Sequence, residues 1–493
     1  MSKTPRAAAR IVIAGGGFSG ATAAVQLVRR SPGPLAITVV EPRARVGPGL
    51  AYSAADPDHR LNGPVLTHTI DPEDPGDLLA WCQAQGVFER DPEALSATGK
   101  PFVRRSDFGD YLAAAVQAHA SWPATGSTLT HHRGLATAAA VHGGGVSLSV
   151  SDGGALQAEL LIVATGNARP RLRAPFDPTL AGHPAVWPEP LDPDRAPRLP
   201  AEARVLVLGS GLTALDLVCT LLRQGHRGPI DLLSRRGLRP RPQPPDPVLP
   251  PGAAWPRVLD LINADLPDWL RDATPRTARG WTRALRRRID DGRARGETWH
   301  LGFDELRNTV WRAWPLLPPA EQRRFLQRLR TWYDMHRFRT PPMTDERVRA
   351  AEAAGQVRYR AARVQSVSAL PDGSLQACWT DADGPKVRPF DAVFNCTGLD
   401  AAAQTHDNPL LASLCAQGLL QPDAAGLGFA VDANGCALGA DARPQPRLRV
   451  IGPPTAGTFG DPLGAMFIAA QVHRMLPDWL QILHPLPPGE GAG

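Results

Sequence analysis

No two of the six cysteines form a CxxC pair: Cys82, Cys219, Cys378, Cys396, Cys415 and Cys436 are scattered singly. That spacing excludes a redox-active dithiol and a cysteine-based zinc site, and small buried hydrophobes are their expected role. No apolar run approaches the roughly 18 residues that a membrane helix needs. The opening MSKTPRAAAR is too short for a signal peptide and runs straight into an apolar stretch. A soluble, cytoplasmic protein without a metal site is expected. Excess charge is also small. The 54 Lys and Arg against 48 Asp and Glu leave +6 over 493 residues, which suits anionic small molecules but falls short of a nucleic-acid signature. Lysine is scarce beside arginine, and alanine and proline are abundant, so much of the arginine reflects composition rather than function. The length allows two or three domains.

Against these absences stands the stretch 11–20, IVIAGGGFSG. Its four apolar residues read as a buried strand, and residues 21–30 read as a helix. Gly15 permits the sharp turn between them, Gly17 lets backbone N–H groups approach a pyrophosphate, and Gly20 lets helix and strand pack closely. Phe18 and Ser19, at the helix start, belong to the same candidate site. A second apolar run, 35–40, ends at Glu41, whose carboxylate is placed to accept from a ribose hydroxyl. A dinucleotide is expected here.

The pattern recurs. Residues 205–208 read as a strand, Gly209-Ser210-Gly211-Leu212-Thr213-Ala214 fits GxGxxA, and 215–223 reads as a helix. The following strand, 230–233, ends in Ser234-Arg235-Arg236 where the first unit has an acid. An acid would repel a 2′-phosphate, whereas serine and arginine form charge-assisted hydrogen bonds with it, so NADPH is expected over NADH.

Other stretches carry a family resemblance. Gly49-Leu50-Ala51-Tyr52, His59-Arg60-Leu61-Asn62, LLAW at 78–81 and PFVRRSDFGDYL at 101–112 resemble the signatures of bacterial FAD/NAD(P)-binding flavoproteins. These are relatives of the class B monooxygenases and include FAD-dependent urate hydroxylases. LLIVATG at 160–166, with Thr165 and Gly166, and FDAVFNCTG at 390–398 resemble the elements that link the two nucleotide-binding domains of such proteins. The resemblance implies FAD at the first fingerprint and places Asn62 and Arg105 near the flavin; an ion pair at a helix N-terminus is the alternative for Arg105. It also implies ribityl and pyrophosphate contacts from Gly460-Asp461, returned by the strand at 448–452. His183 and Trp187 partly match the FxGxxxHxxxW(P) fingerprint of Baeyer–Villiger and flavin monooxygenases, but the glycine is displaced; packing at a domain junction is the alternative.

Residues 256–339 show none of the alternation of strands and read as a tryptophan-rich helical insertion. The basic run 282–295 reads as a solvated helix face, with a nucleic-acid groove as the sharper alternative. At the insertion's end, Trp332-Tyr333-Asp334-Met335-His336-Arg337-Phe338-Arg339 is similar to a W-x-(D/E)-x-H-R-x-R element of the same family. His336 and Arg337 are therefore candidates for holding an anionic or carbonyl-rich substrate over the flavin; a helix end with arginines against the dipole is the alternative.

The expected fold class is α/β, with two Rossmann-like dinucleotide-binding domains, for FAD and NADPH, and a helical insertion. The expected limits are 1–195 and 401–493 for the two parts of the FAD domain. Residues 196–400 make the NADPH domain, with the insertion at about 252–340. The expected activity is FAD-dependent, NADPH-consuming monooxygenation of a small polar substrate, urate or another nitrogen compound, through a flavin hydroperoxide formed with O₂. A flavoprotein reductase and a flavin-bearing nucleic-acid-binding protein are the alternatives. His336, Arg337 and Arg105 are the candidate catalytic residues, no catalytic base stands out, and a homodimer remains open.

Overall fold

The apolar runs at both fingerprints become the central strands of two mainly parallel sheets in the structure, a computed structural model that describes residues 7–54, 56–190, 192, 198–244, 258–398, 405, 407–460 and 464–485. Strand β1 (Ala9–Ala14), helix α1 (Phe18–Arg30) and β2 (Leu35–Val40) make the first crossover. Helices α2 (Asp77–Ala84), α3 (Val87–Arg90) and α4 (Arg105–Ala118) precede β3 (Ser121–Trp122) and β4 (Ser127–His132). An antiparallel meander, β5 (Ala136–His142), β6 (Gly145–Val150) and β7 (Ala155–Ala158), leads into β8 (Leu160–Val163). After β9 (Val186–Trp187), the second crossover runs through β10 (Val205–Leu208), α5 (Leu212–Arg223) and β11 (Ile230–Ser234).

The segment expected to be a helical insertion is helical. It holds α6 (Val258–Asn263), α7 (Asp268–Arg271), α8 (Ala278–Ala294), α9 (His300–Ala313), α10 (Pro319–Arg328) and α11 (Arg330–Arg337). Helix α12 (Pro342–Ala353) and β12 (Val357–Ala361) return to the second sheet. A second meander, β13 (Arg363–Ala369), β14 (Leu375–Asp381) and β15 (Gly384–Phe390), leads to β16 (Ala392–Asn395). The last elements are α13 (Pro409–Ala416), β17 (Cys436–Leu438), β18 (Pro444–Val450), α14 (Ala456–Phe459) and α15 (Ala465–Leu483).

The strand order of the first sheet is β17-β18-β8-β1-β2-β4-β3, and that of the second is β12-β11-β10-β16-β9. Ile11 of β1 lies opposite Ile37 of β2 and Leu160 of β8; Val205 of β10 lies opposite Ile230 and Ala392. Strands covered on both faces need apolar side chains at every position, which is why these runs do not alternate. Strand β18 pairs in parallel with β8, so the first sheet draws on both ends of the chain. Strand β9 pairs with β16 and belongs to the second sheet, ahead of the limit drawn at 196.

Helix α1 is buried from Phe18 to Val28 because it lies against the first sheet with α15 packed over it. Across that contact Gln26 Nε2 donates to the Ala469 carbonyl at 3.1 Å. Val25, Leu27 and Val28 are fully buried, each stabilising the helix by about 1.5–3 kcal/mol. The helix ends where Arg29 and Arg30 reach Asp71.

Candidate functional site

The glycines of the first fingerprint have different physical reasons to be glycine. Gly15 lies at φ +109°, and a Cβ there would overlap the carbonyl oxygen of Ala164, the residue after β8. Gly20 is crowded by the Gly15 carbonyl in the same way. Gly17 is not constrained like this. Its backbone is ordinary (φ −75°, ψ −167°), and a Cβ would meet only the Gly49 Cα, at 3.6 Å. Conformation and crowding leave it free; what remains is close approach by a ligand to the N-terminus of α1, whose first N–H groups have no side-chain cap. Phe18 and Ser19 open that helix and are both buried. Glu41 is 5% exposed, and its Oε2 accepts from Gly16 N–H at 2.8 Å, which fixes the carboxylate beside the turn. Thr165, next to Gly15, has a buried hydroxyl with no partner, and Gly166 follows at φ +74°. An open helix terminus, a fixed acid and an orphaned hydroxyl together fit a dinucleotide.

The second fingerprint repeats the device. Gly209 lies at φ +109°, and its Cβ would overlap the Cys396 carbonyl oxygen. Gly211 has ordinary backbone (φ −82°, ψ −171°) and nothing within 4 Å of a built Cβ. Leu212 and Thr213 open α5. At the end of β11, Ser210 donates to the Ser234 hydroxyl at 2.9 Å. Arg235 is exposed. Arg236 donates through Nη2 to the Arg328 carbonyl at 3.1 Å, its guanidinium lies 5.7 Å from the Trp332 ring centre, and its Nη1 is buried without an acceptor. These donors fit a phosphate ester.

Arg105 and Asn62 lie where the two units meet. Arg105 forms an ion pair with Asp216 of α5 at 2.6 Å, with side chains 19% and 7% exposed, and its Nε donates to the Arg60 carbonyl. The Asn62 carbonyl accepts from Gln243 Nε2 at 2.6 Å. Around Arg105, burial pushes the Tyr52 phenol up to about 12 and holds His68 down to about 4. The same seam contains ion pairs that no local motif marks. Arg223 pairs with Asp56 and Asp58 at 2.6 and 2.8 Å, Arg347 pairs with Asp58 and Glu93, and His59 bonds Thr220 at 3.0 Å. A cleft of about 660 Å³ opens along it, lined in part by Asp58, Arg60, Glu93, Arg223 and Arg347. These partners are 161 to 289 positions apart, and no local pattern links them.

His336 and Arg337 lie together in a cluster formed by the helical segment. The His336 ring stacks on Phe303 (4.7 Å between centres, 6° between planes) and meets the edge of Trp299. Its Nδ1 bonds the Trp332 carbonyl at 2.7 Å and must therefore carry a proton. Burial lowers its pKa, with Arg241 and Arg339 adding to the effect. The Arg337 guanidinium lies over Phe467 near the start of α15. Arg307 and Arg339 share Asp304 at 3.0 and 2.7 Å, and they hold its carboxyl low against the effect of burial. Burial, reinforced by Arg337 and Arg339, brings Arg307 down to about 10.

Gly460 lies against this segment, where a built Cβ would be 2.9 Å from the Trp314 Cβ; Asp461 lies outside the described residues. The chain's return reaches α1 through Gly452, at φ +73°, whose Cβ would overlap the Ser19 hydroxyl. The sequence placed Gly452 at the end of the strand 448–452 without a role of its own; the strand observed ends at Val450. Trp187 stacks on Phe394 at 4.6 Å in the second core, the packing role that stood as the alternative to a fingerprint. Among the described residues, no cluster of three His, Cys, Asp or Glu could hold a metal, and no helix is long and apolar enough to cross a membrane.

Residues 12–168 match the profile of a family described as FAD-NAD(P)-binding. No curated protein sequence matches the chain. Among solved structures, the chain is similar to the ornithine N-hydroxylase of Kutzneria sp. 744, with reduced FAD, NADP⁺ and L-ornithine (16% identity, 97% of this chain and 99% of that one, TM-score 0.61). It is also similar to the FAD-bound cadaverine monooxygenase of desferrioxamine biosynthesis from Erwinia amylovora (13%, 97% and 95%, TM-score 0.62). A third is the L-lysine 6-monooxygenase of Pseudomonas syringae (18%, 97% and 100%, TM-score 0.56). At such identities the likeness is one of fold.

Proposed function

We propose that the chain is an FAD-dependent, NADPH-consuming monooxygenase that hydroxylates a small nitrogen compound. The observation that carries this reading is the pair Gly17 and Gly211. Each is a glycine at an open helix N-terminus that neither conformation nor crowding requires, and the two helices follow strands of two separate sheets. Two open phosphate sites in one chain suit a flavin and a nicotinamide coenzyme. The similar N-hydroxylases, which span nearly the whole chain, support the same cofactors and an oxygenating reaction. The first sheet is then the FAD domain and the second the NADPH domain.

FAD, when bound, supplies hydride acceptance from NADPH and the activation of O₂. Binding and orientation fall to the chain's own residues. The N–H groups at the start of α1 hold the pyrophosphate, Glu41 takes a ribose hydroxyl, and Thr165, Gly166 and Asn62 serve the same cofactor. Ser234, Arg235 and Arg236 take the 2′-phosphate of NADPH. Arg105, tied to Asp216, fixes the two units against each other while staying on the flavin side. His336, a neutral imidazole with its Nδ1 proton held by a carbonyl, and Arg337 receive the substrate. The neighbouring arginines, Arg307 and Arg339, favour a substrate that carries a carboxylate or carbonyl as well as the nitrogen. Ornithine and lysine satisfy this, as does urate.

Three buried thiols weigh against a reductase that works through a disulfide. Burial pushes Cys82 up to about 12 and drives Cys219 and Cys396 further up, and a thiol held protonated is a poor nucleophile. The test is to purify the protein with FAD and follow NADPH oxidation and hydroxylated product across ornithine, lysine, diamines and urate. Substrate-stimulated oxidation with product formation is expected. Oxidation stimulated by a dye or carrier but by none of these compounds would make it a reductase. A colourless protein that cannot be reconstituted with FAD would end the flavoprotein reading.

A further inference from the structure

Trp332 of α11 is 47% exposed, the only aromatic ring among the exposed large hydrophobics of the described residues. It does not stand alone. Arg236, from the loop after β11, lies over the indole at 5.7 Å and donates to the carbonyl of Arg328, the last residue of α10. The corner between α10 and α11 is thus held against the strand end that carries Ser234 and Arg235. This places a flat, half-open apolar ring beside a set of phosphate donors, one of which, Arg236 Nη1, is buried without an acceptor. A ligand with a planar ring and a phosphate a sugar's width away would satisfy both.

Resting on the NADPH reading above, we propose that the indole of Trp332 stacks on the adenine of NADPH while Arg235 and Arg236 take its 2′-phosphate. The helical segment, rather than the nucleotide-binding sheet alone, then supplies one wall of the adenosine subsite. The chemistry is that of any base–aromatic stack: flat, tolerant of detail and strengthened by a neighbouring guanidinium.

The test uses the FAD-loaded full chain, titrated with adenosine 2′,5′-bisphosphate by calorimetry and by intrinsic fluorescence. Trp332→Ala should weaken binding about tenfold, the order of one lost base stack. Trp332→Phe should restore most of the affinity while abolishing the fluorescence quench seen with the wild type. Arg235→Ala should reduce the preference for the bisphosphate over adenosine 5′-monophosphate. Unchanged affinity in Trp332→Ala, or a quench that survives Trp332→Phe, overturns the stack and leaves the NADPH reading standing. A wild-type chain with no affinity for the bisphosphate overturns both.

Discussion

Alanine at Gly15 and alanine at Gly17 should fail in different ways, although the two positions are separated by a single glycine. At Gly15 the left-handed backbone costs an alanine roughly 1–3 kcal/mol, and the overlap with the Ala164 carbonyl adds about 1–3 kcal/mol of crowding. The total is a large part of the roughly 5–15 kcal/mol that holds a domain together. At Gly17 the added methyl meets only the Gly49 Cα, at 3.6 Å. The folding cost there is at most about 1 kcal/mol, the scale of a changed N-cap residue. The methyl would instead obstruct the N–H groups of α1, and a charge-assisted hydrogen bond is worth about 1.5–3 kcal/mol. The dissociation constant for FAD should therefore rise by about 10- to 100-fold. Thermal denaturation of the flavin-stripped protein measures the first effect, and FAD titration by flavin fluorescence measures the second. Gly15→Ala should express poorly or melt early, whereas stripped Gly17→Ala should melt like the wild type and bind FAD weakly. Wild-type FAD affinity in Gly17→Ala would refute the reasoning, because no ligand would then pass that glycine.

Removing the charge at Asp216 with Asp216→Asn should cost roughly 1–3 kcal/mol in denaturant unfolding, since Arg105 would keep a half-buried charge without its partner. A cycle with Arg105→Gln should show coupling, and simple additivity would deny the ion pair a role. Burial raises Asp77 to about 7, against the hydrogen bond from Tyr111. Its native pKa lies above its unfolded value, so its contribution is complete below about pH 4 and is lost as pH rises towards 7. Asp77→Asn should flatten that slope in the stability–pH profile, and an unchanged slope would assign it to other groups. Trp187→Ala should destabilise the second sheet by about 3–5 kcal/mol, and Trp187→Phe should recover most of that with NADPH oxidation intact. Lost activity in a well-folded Trp187→Phe would restore the fingerprint role.

Both crossovers were legible because their signals are local. Strand, glycines, helix and strand end lie within about 30 residues, so the pattern is visible although the carbonyls that crowd Gly15 and Gly209 come from distant residues, Ala164 and Cys396. The helical segment was legible from its lack of alternation. Its internal arrangement was not, because Asp304 meets Arg339, and His336 meets Phe303, only once α9 and α11 pack together. Gly452 was marked only as the end of a strand, because its reason for being glycine, the Ser19 hydroxyl, lies at the other end of the chain. Trp187 drew attention through a partial motif, yet its neighbour Phe394 shows an ordinary core contact. Patterns of residue type reveal what a short stretch can do, and contacts between distant stretches decide which of those options is used.

The seam of Asp56, Asp58, Arg223, Arg347, Arg105 and Asp216 has a mechanical meaning. An apolar junction parts all at once, because water gains nothing until the whole greasy face is uncovered. A junction of ion pairs beside a wet cleft can part bond by bond, with each charge taking up water and salt as its partner leaves. Added salt should therefore loosen this junction more than it would an apolar one.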